Sequence, residues 1–167
     1  TTRDIDLAVR SMPGSGGQWD DAAVRLLLQD LANADLGDGF EFLIGEPTMD
    51  LDAAPYGGSR FPVEASMGDR NFASFHLDVS AGDVLREPFE LLEGQDWMGF
   101  AGIAPSKVPA ISREEQFAEK LHAYSLPRGG RPNSRVKDLV DLLLLIESGT
   151  LDVDRVGQCI EATLRRR

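Results

Sequence analysis

Two aspartates near the start of the sequence have the spacing of a metal-binding pair. Asp4 and Asp6 alternate with aliphatic residues in a run that predicts a β-strand: Ile5, Leu7 and Val9. Side chains at positions i and i+2 of a strand share a face, so both carboxylates point away from the aliphatic residues. Adjacent carboxylates repel, and a divalent cation is their usual counter-charge. Such a pair suits phosphoryl or nucleotidyl transfer, in which metal ions bind a triphosphate and activate the attacking oxygen. The alternative is an exposed edge strand with solvated acids.

A third carboxylate has the same kind of position in a later strand. The alternation over residues 72–80 places Asp78 on a polar face with His76, although a lone strand histidine is more often structural. Turn residues at 68–71 connect this strand to another predicted over 60–66. The chain has only two histidines and one cysteine, so we expect any metal to be a hard, oxygen-bound ion, Mg²⁺ or Mn²⁺.

A basic loop is the second chemical feature. Arg128, Arg131, Arg135 and Lys137 fall within ten residues that contain no acid. Two glycines in this loop allow close approach of the backbone to a ligand, and the helix that follows offers amide donors at its N-terminus. These features predict a site for a triphosphate or for nucleic-acid phosphates. The alternative is a basic surface loop that balances nearby acids.

The helix predicted before this loop carries Lys120, one turn after Gln116 and opposite an apolar stripe. A lysine there could reach nucleotide phosphates, although on its own the position is better explained by a solvated helix lysine paired with Gln116 or Glu119. On the next helix, Asp138 could hold Lys120 or, together with Asp141, the basic residues that precede it.

The surrounding pattern predicts an α+β fold, with a small mixed or antiparallel sheet followed by a helical C-terminal portion. A helix should follow an N-cap at Asp20, a strand should cover 40–44, and Ser112 opens a capping box. Two more helices are predicted, over about 135–147 and 152–166, and the segment 85–109 should contribute a short strand or two. We therefore expect a sheet domain over 1–110, a helical portion over 111–167, and an active-site cleft between them.

Bulk properties exclude several classes of protein. The net charge of −11 argues against broad, sequence-independent nucleic-acid binding, which needs a basic face. No apolar run is long enough to cross a bilayer. This sequence shows no charged-then-apolar stretch before its first predicted strand, so we expect no secretion signal. The single cysteine, Cys159, excludes an intramolecular disulfide and fits a reducing cytoplasm.

Four separated blocks resemble the AbiEii/AbiGii toxin family, bacterial nucleotidyltransferase-like toxins related to the DNA polymerase β-like superfamily. The blocks are Arg3-Asp4-Ile5-Asp6, residues 75–83 (FHLDVSAGD), 116–123 (QFAEKLHA) and 135–142 (RVKDLVDL). The resemblance implies a toxin of a toxin–antitoxin or phage-abortive system that transfers a nucleotide to an acceptor, such as RNA or tRNA, and has an antitoxin partner.

The resemblance also implies roles for individual residues. Asp4, Asp6 and Asp78 would bind the metal, while Lys120 and Asp138 would be further active-site positions. The remaining residues expected at the nucleotide phosphates are Gln116, Arg128, Arg131, Arg135 and Lys137. In the family a Gly-Ser turn precedes the Asp-x-Asp strand, and this sequence begins after it, so we expect an N-terminally truncated chain. The activity of this chain alone is left open, while that of a longer parent is expected.

Three hypotheses follow from these residues. The first is a metal-dependent nucleotidyltransferase that acts on a nucleoside triphosphate. The second is a catalytically degenerate module that binds a nucleotide or an antitoxin. The third is a metal-dependent nuclease or phosphohydrolase, which the basic loop disfavours because a transferase has more need to hold a triphosphate.

Overall fold

The computed structural model describes residues 4–9, 18–51, 54, 56–81, 85–130 and 132–165. The elements follow in the order β1 (Asp4–Val9), α1 (Asp21–Ala32), β2 (Phe40–Ile44), β3 (Met49–Asp50), β4 (Gly58–Met67), β5 (Arg70–Ala81), β6 (Glu90–Glu93), a 3-10 turn (Gly99–Ala101), β7 (Lys107–Ala110), α2 (Arg113–Ser125), α3 (Val136–Glu147) and α4 (Val153–Leu164). They form two compact units. The first is Thr1–Leu85 with Met98–Ile103, and the second is Arg86–Trp97 with Ala104–Arg167.

The first unit contains a five-stranded mixed sheet. Its strands run in the order β1-β5-β4-β2, and β3 pairs with the N-terminal end of β4, at Ser59 and Arg60. Strand β1 is parallel to β5, whereas β4 is antiparallel to its partners β2, β3 and β5. The predicted hairpin turn is shorter than expected. Only Gly68 (φ 53°) and Asp69 (φ 61°) form it, with the positive φ angles typical of a type I′ turn, and Arg70 already belongs to β5.

One face of this sheet packs against α1. The buried cluster joins Val24 of α1 to Ile44, Phe61, Val63 and Val79 of the strands. Helix α1 begins as predicted, because the carboxylate of Asp20 accepts hydrogen bonds from the backbone N–H groups of Ala22 and Ala23. Strand residues that alternate with the buried positions must therefore lie on the opposite face.

A polar cluster fixes the start of α1 against β4. The indole Nε1 of Trp19 donates to Asp21 Oδ1 at 2.7 Å and to Ser59 Oγ at 3.1 Å. Ser59 is fully buried, and its hydroxyl also donates to Asp21. The buried polar groups are thus satisfied within the cluster, which sets the position of the helix over the sheet.

The second unit consists of the antiparallel β6–β7 pair and three helices. Ser112 is the N-cap of α2, as the predicted capping box requires, since Ser112 Oγ accepts from the N–H of Glu115 at 3.3 Å. Glu114 connects α2 to α4: it accepts from the N–H of Asp152 at 3.1 Å and lies 3.5 Å from Nε of Arg155. Helix α4 carries Cys159, which is buried, and burial raises the pKa of its thiol as expected for a core residue.

These observations confirm an α+β fold with a sheet and four helices. Segment 85–109 contains β6 and most of β7, in keeping with the expected short strands. The boundary at residue 110 stays a prediction, and segment 104–110 groups with the helices in the structure. Among the described residues, every helix is too short or too polar to cross a bilayer.

Replacing Phe61 should test the core of the first unit. Phe61 is 0% exposed, so Phe61→Ala should lower the free energy of unfolding by about 3–5 kcal/mol through lost burial and a cavity. Phe100→Ala is the matched control, because Phe100 of the same unit is 89% exposed and should cost little. Urea unfolding followed by circular dichroism measures both, and equal losses would contradict the assigned core.

Protonation of Glu114 should weaken the second unit. Burial acts to raise the pKa of Glu114, but hydrogen bonds from Asp152, its own backbone N–H and Ser112, with the charge of Arg155, hold it below the usual 4.5. A carboxyl group whose pKa is lower in the folded than in the unfolded protein stabilises the fold at pH values above its unfolded pKa. This contribution to the free energy of unfolding is lost as the pH falls through the folded pKa. The urea midpoint should therefore decline less steeply in Glu114→Gln than in the wild type between about pH 6 and pH 3. The exposed Glu161→Gln serves as control, and parallel wild-type and Glu114→Gln profiles would refute this role.

Candidate active site

The sheet of the first unit brings together the three aspartates singled out in the sequence. Because β1 and β5 are parallel neighbours, Asp6 lies opposite Asp78, and Asp4 lies opposite His76. Adjacent strands are about 4.8 Å apart, and positions i and i+2 of one strand are roughly 6.6 Å apart. All three aspartates occupy the face away from α1, since they alternate with Leu7, Leu77 and other core-facing residues. We call this arrangement the acidic face.

An arginine that sequence reasoning missed completes the acidic face. Arg60 of β4 lies opposite Asp78, so Asp6, Asp78 and Arg60 form a row across three neighbouring strands. Its guanidinium bonds both oxygens of Asp78, with Nε to Oδ1 at 2.7 Å and Nη2 to Oδ2 at 2.6 Å. The side chains of Arg60 and Asp78 are 28% and 13% exposed, so the pair is partly shielded from water.

The electrostatics of Arg60 reflect the whole acidic face. The pKa of Arg60 is raised, first by its hydrogen bond to Asp78 and then by the negative charges of Asp78, Asp4 and Asp6, although desolvation opposes the shift. Three carboxylates therefore act on one guanidinium. The only sequence signal for this role is the alternation that places Arg60 on the polar face of its strand.

His76 also lies on the acidic face. Its Nδ1 is 3.2 Å from Oδ1 of Asp4, and both side chains are more than a third exposed. His76 is thus a second nitrogen-bearing neighbour of the carboxylates, with a donor or acceptor role that depends on its tautomer.

The fit of a divalent ion to this face is incomplete in the observed arrangement. The donor chemistry fits, because carboxylate oxygens are the ligands that Mg²⁺ and Mn²⁺ prefer. The placement does not fit: over the described ranges, no three acidic, histidine or cysteine side chains are grouped to hold a metal ion. Both oxygens of Asp78 are instead directed at Arg60. The assignment of Asp4, Asp6 and Asp78 as metal ligands stays a prediction.

The second unit groups Lys120 with two acids of α3. Lys120 Nζ is 2.6 Å from Asp141 Oδ2 and 3.9 Å from Asp138 Oδ1. Asp138 Oδ2 lies 3.5 Å from Nη1 of Arg135; it is buried and has no hydrogen-bond partner among the described residues. Asp138 thus lies between Lys120 and Arg135, and Asp141 is the nearer partner of Lys120, which the sequence did not indicate.

A groove between α2 and α3 exposes part of this group. It has a volume of about 360 Å³, and its polar lining includes Arg113, Gln116, Lys120 and Asp141. Gln116 and Lys120, one turn apart on α2, therefore share one accessible surface within the second unit.

Some residues of the basic loop make contacts within the second unit that the sequence did not predict. Nη2 of Arg128 donates to the carbonyl of Ala123 at 2.8 Å, which satisfies a group at the C-terminal end of α2. Arg135 is the N-cap residue of α3, and Lys137 is exposed on its first turn. Arg131 lies outside the described residues. The phosphate-binding role of these four residues stays a prediction.

Comparison with known proteins identifies the class of fold and then the family. The structure is similar to MenT4, a nucleotidyltransferase toxin from Mycobacterium tuberculosis H37Rv, with a TM-score of 0.58 and 22% sequence identity. The match covers 95% of this chain and 47% of MenT4, so this chain spans about half the length of that protein. At this identity the likeness defines the fold, which is that of a nucleotidyltransferase toxin.

The family follows from the sequence match. Residues 1–167 match the family described as nucleotidyl transferase AbiEii toxin, type IV toxin–antitoxin system. The chain belongs to this AbiEii nucleotidyltransferase family, which confirms the resemblance seen in the four sequence blocks. A comparison with curated proteins finds no match.

The Lys120–Asp141 pair should be weak enough to exchange partners. Both side chains are partly exposed, at 24% and 43%, and such pairs contribute about 1 kcal/mol or less. A double-mutant cycle of Lys120→Met and Asp141→Asn should therefore give a coupling energy in this range by urea unfolding. A coupling energy well above about 2 kcal/mol would identify a locked structural pair instead.

Proposed function

We propose that this chain carries the acidic active-site strands of a metal-dependent nucleotidyltransferase. The enzyme would transfer a nucleotide from a nucleoside triphosphate to an acceptor. The observation that carries the proposal is the row in which Asp6 lies opposite Asp78, with Asp4 on the same face. Membership of the AbiEii family supports the same reaction class.

The two units carry different kinds of candidate group. In the first unit, Asp4, Asp6 and Asp78 would bind Mg²⁺ or Mn²⁺. The ion would compete with Arg60 for the oxygens of Asp78. In the second unit, Lys120 would interact with phosphate oxygens, because its ammonium lines an accessible groove beside Gln116. A lysine that neutralises phosphate charge favours a transition state in which that charge builds up.

The biological setting is proposed from the family. The AbiEii description supports a toxin of a toxin–antitoxin or phage-abortive system, with an antitoxin protein as its partner. We infer an RNA acceptor, with tRNA as the first candidate to test, although a net charge of −11 gives this no independent support. The single cysteine suits a reducing compartment, and we place the protein in the cytoplasm.

A degenerate binding module is the second candidate function. The observation that favours it is the ion pair of Asp78 with Arg60, which leaves the acidic face without a grouped set of metal ligands in the described residues. Such a protein would bind a nucleotide or an antitoxin without turnover. Its nucleotide binding would not depend on Asp6.

Incorporation of radiolabelled nucleotides into total RNA tests the enzyme directly. With the full-length protein, label should appear in the presence of Mg²⁺ and disappear with a chelator. Asp6→Asn, Asp78→Asn and Lys120→Met should each reduce the rate by about 100-fold or more, because each removes a charge proposed to act on the reacting phosphates. Circular dichroism should show that the variants remain folded.

Two matched variants control for the loss of surface charge. Asp50→Asn removes an exposed carboxylate of β3, and Lys107→Met removes an exposed lysine of β7 in the second unit. Both should keep wild-type rates. Full activity in folded Asp78→Asn would reject the three-carboxylate site, nucleotide binding without transfer would support the binding module, and release of RNA fragments would indicate a nuclease.

A further inference from the structure

Arg60 bonds both of the oxygens through which Asp78 would have to bind a divalent ion. The row Asp6–Asp78–Arg60 crosses three adjacent strands at the same level, so the guanidinium is the immediate neighbour of Asp78 on the side opposite Asp6. It bonds both carboxylate oxygens at 2.6–2.7 Å. A two-pronged contact of this kind is the strongest form of arginine–carboxylate pairing.

The pair also neutralises an otherwise uncompensated charge. Asp78 is only 13% exposed, and a carboxylate that is shielded from water needs a partner or loses stability. Asp4 and Asp6 add their charges to the same guanidinium. Arg60 therefore offers a positive charge to all three carboxylates when no cation is bound.

We propose that Arg60 is the resident counter-cation of the acidic face, which holds Asp78 until a divalent ion displaces it. This inference rests on the proposed function, because it assumes that the acidic face binds a metal. It makes Arg60 a positioning residue, because it acts through Asp78. We expect ion binding on the Asp6 side to draw at least one Asp78 oxygen away from Arg60. The free energy of metal binding is then the free energy gained from the bonds to the ion minus the free energy needed to break the ion pair.

Removal of Arg60 should have opposite effects on stability and on metal affinity. Without metal, Arg60→Gln should unfold about 3–8 °C below the wild type, since Asp78 loses its partner. In the same variant, Mn²⁺ should bind on the order of tenfold more tightly, because no ion pair has to be broken. A purely structural arginine would lower stability without improving affinity.

Mn²⁺ titration of the full-length protein, followed by electron paramagnetic resonance of the free ion, measures the affinity without reference to activity. Thermal unfolding with and without Mn²⁺ measures the stability. Arg25→Gln is the matched control, because it removes an arginine whose Nε lies 3.2 Å from Glu46 in the same unit, outside the acidic face. It should leave Mn²⁺ affinity unchanged.

Two further variants connect the effect to Asp78. Arg60→Lys keeps the charge but can contact only one oxygen, so its gain in Mn²⁺ affinity should be smaller than that of Arg60→Gln. This variant also serves if Arg60→Gln does not fold. The double variant Arg60→Gln/Asp78→Asn should lose the gain.

The outcomes separate this inference from the proposed function. If the wild type binds Mn²⁺, Asp6→Asn does not, and neither folded Arg60 variant binds more tightly than the wild type, the counter-cation role is refuted while the metal site stands. If neither the wild type nor the Arg60 variants bind Mn²⁺, the acidic face is not a metal site and both proposals fail. Tighter binding in Arg60→Gln that requires Asp78 supports both.

Discussion

The repulsion between three neighbouring carboxylates is the constraint on which the first unit depends. Two unit charges 4 Å apart interact by about 1 kcal/mol in water and by about 4 kcal/mol near a protein surface. Strand β1 carries two of these charges at the edge of the sheet, and among the described strands it pairs with β5 alone. Its pairing necessarily brings Asp6 beside Asp78. The bond between Arg60 and Asp78 offsets part of this cost. Strand β4 therefore stabilises the pairing of β1 with β5, although β4 is not adjacent to β1 in the sheet.

Local signals in the sequence predicted the elements well. The N-caps at Asp20 and Ser112 and the starts of the last two helices each depend on a few consecutive residues, and the structure has them within one residue of the prediction. Helix α4 ends at Leu164, whereas the predicted end at about residue 166 lies outside the described residues. Strand alternation likewise assigned Asp4, Asp6 and Asp78 to polar faces. Their proximity was a hypothesis, because Asp6 and Asp78 are 72 residues apart in the chain. The parallel pairing of β1 and β5 brings them side by side.

The partner of Asp78 could not be predicted, because a bulge decides it. A two-residue turn at Gly68-Asp69 pairs Met67 with Arg70 and, without interruption, would place Arg60 opposite Leu77. The register shifts by one residue at Ala65/Ser66, beside Phe72, and from there on Arg60 faces Asp78. A one-residue shift exchanges the faces of a strand, so the contact depends on an irregularity with no clear sequence signal. The hydrogen bond from Arg128 to the carbonyl of Ala123 could not be predicted either, since it depends on how the chain after α2 turns back towards the helix.

The two units share one electrostatic principle. In each, a charge proposed to bind a ligand is already held by an opposite charge: Asp78 by Arg60, and Lys120 by Asp141. A metal ion or a phosphate would therefore exchange partners with these groups and would not enter an empty site. Such exchange lowers affinity by the free energy of the resident pair. We expect this free energy to be small for Lys120–Asp141, whose carboxylate is 43% exposed, and larger for Arg60–Asp78, whose carboxylate is 13% exposed. It also keeps each unit stable without ligand, because no charge in these pairs is left unbalanced. The less exposed Arg60–Asp78 pair should thus limit ligand affinity more than the Lys120–Asp141 pair.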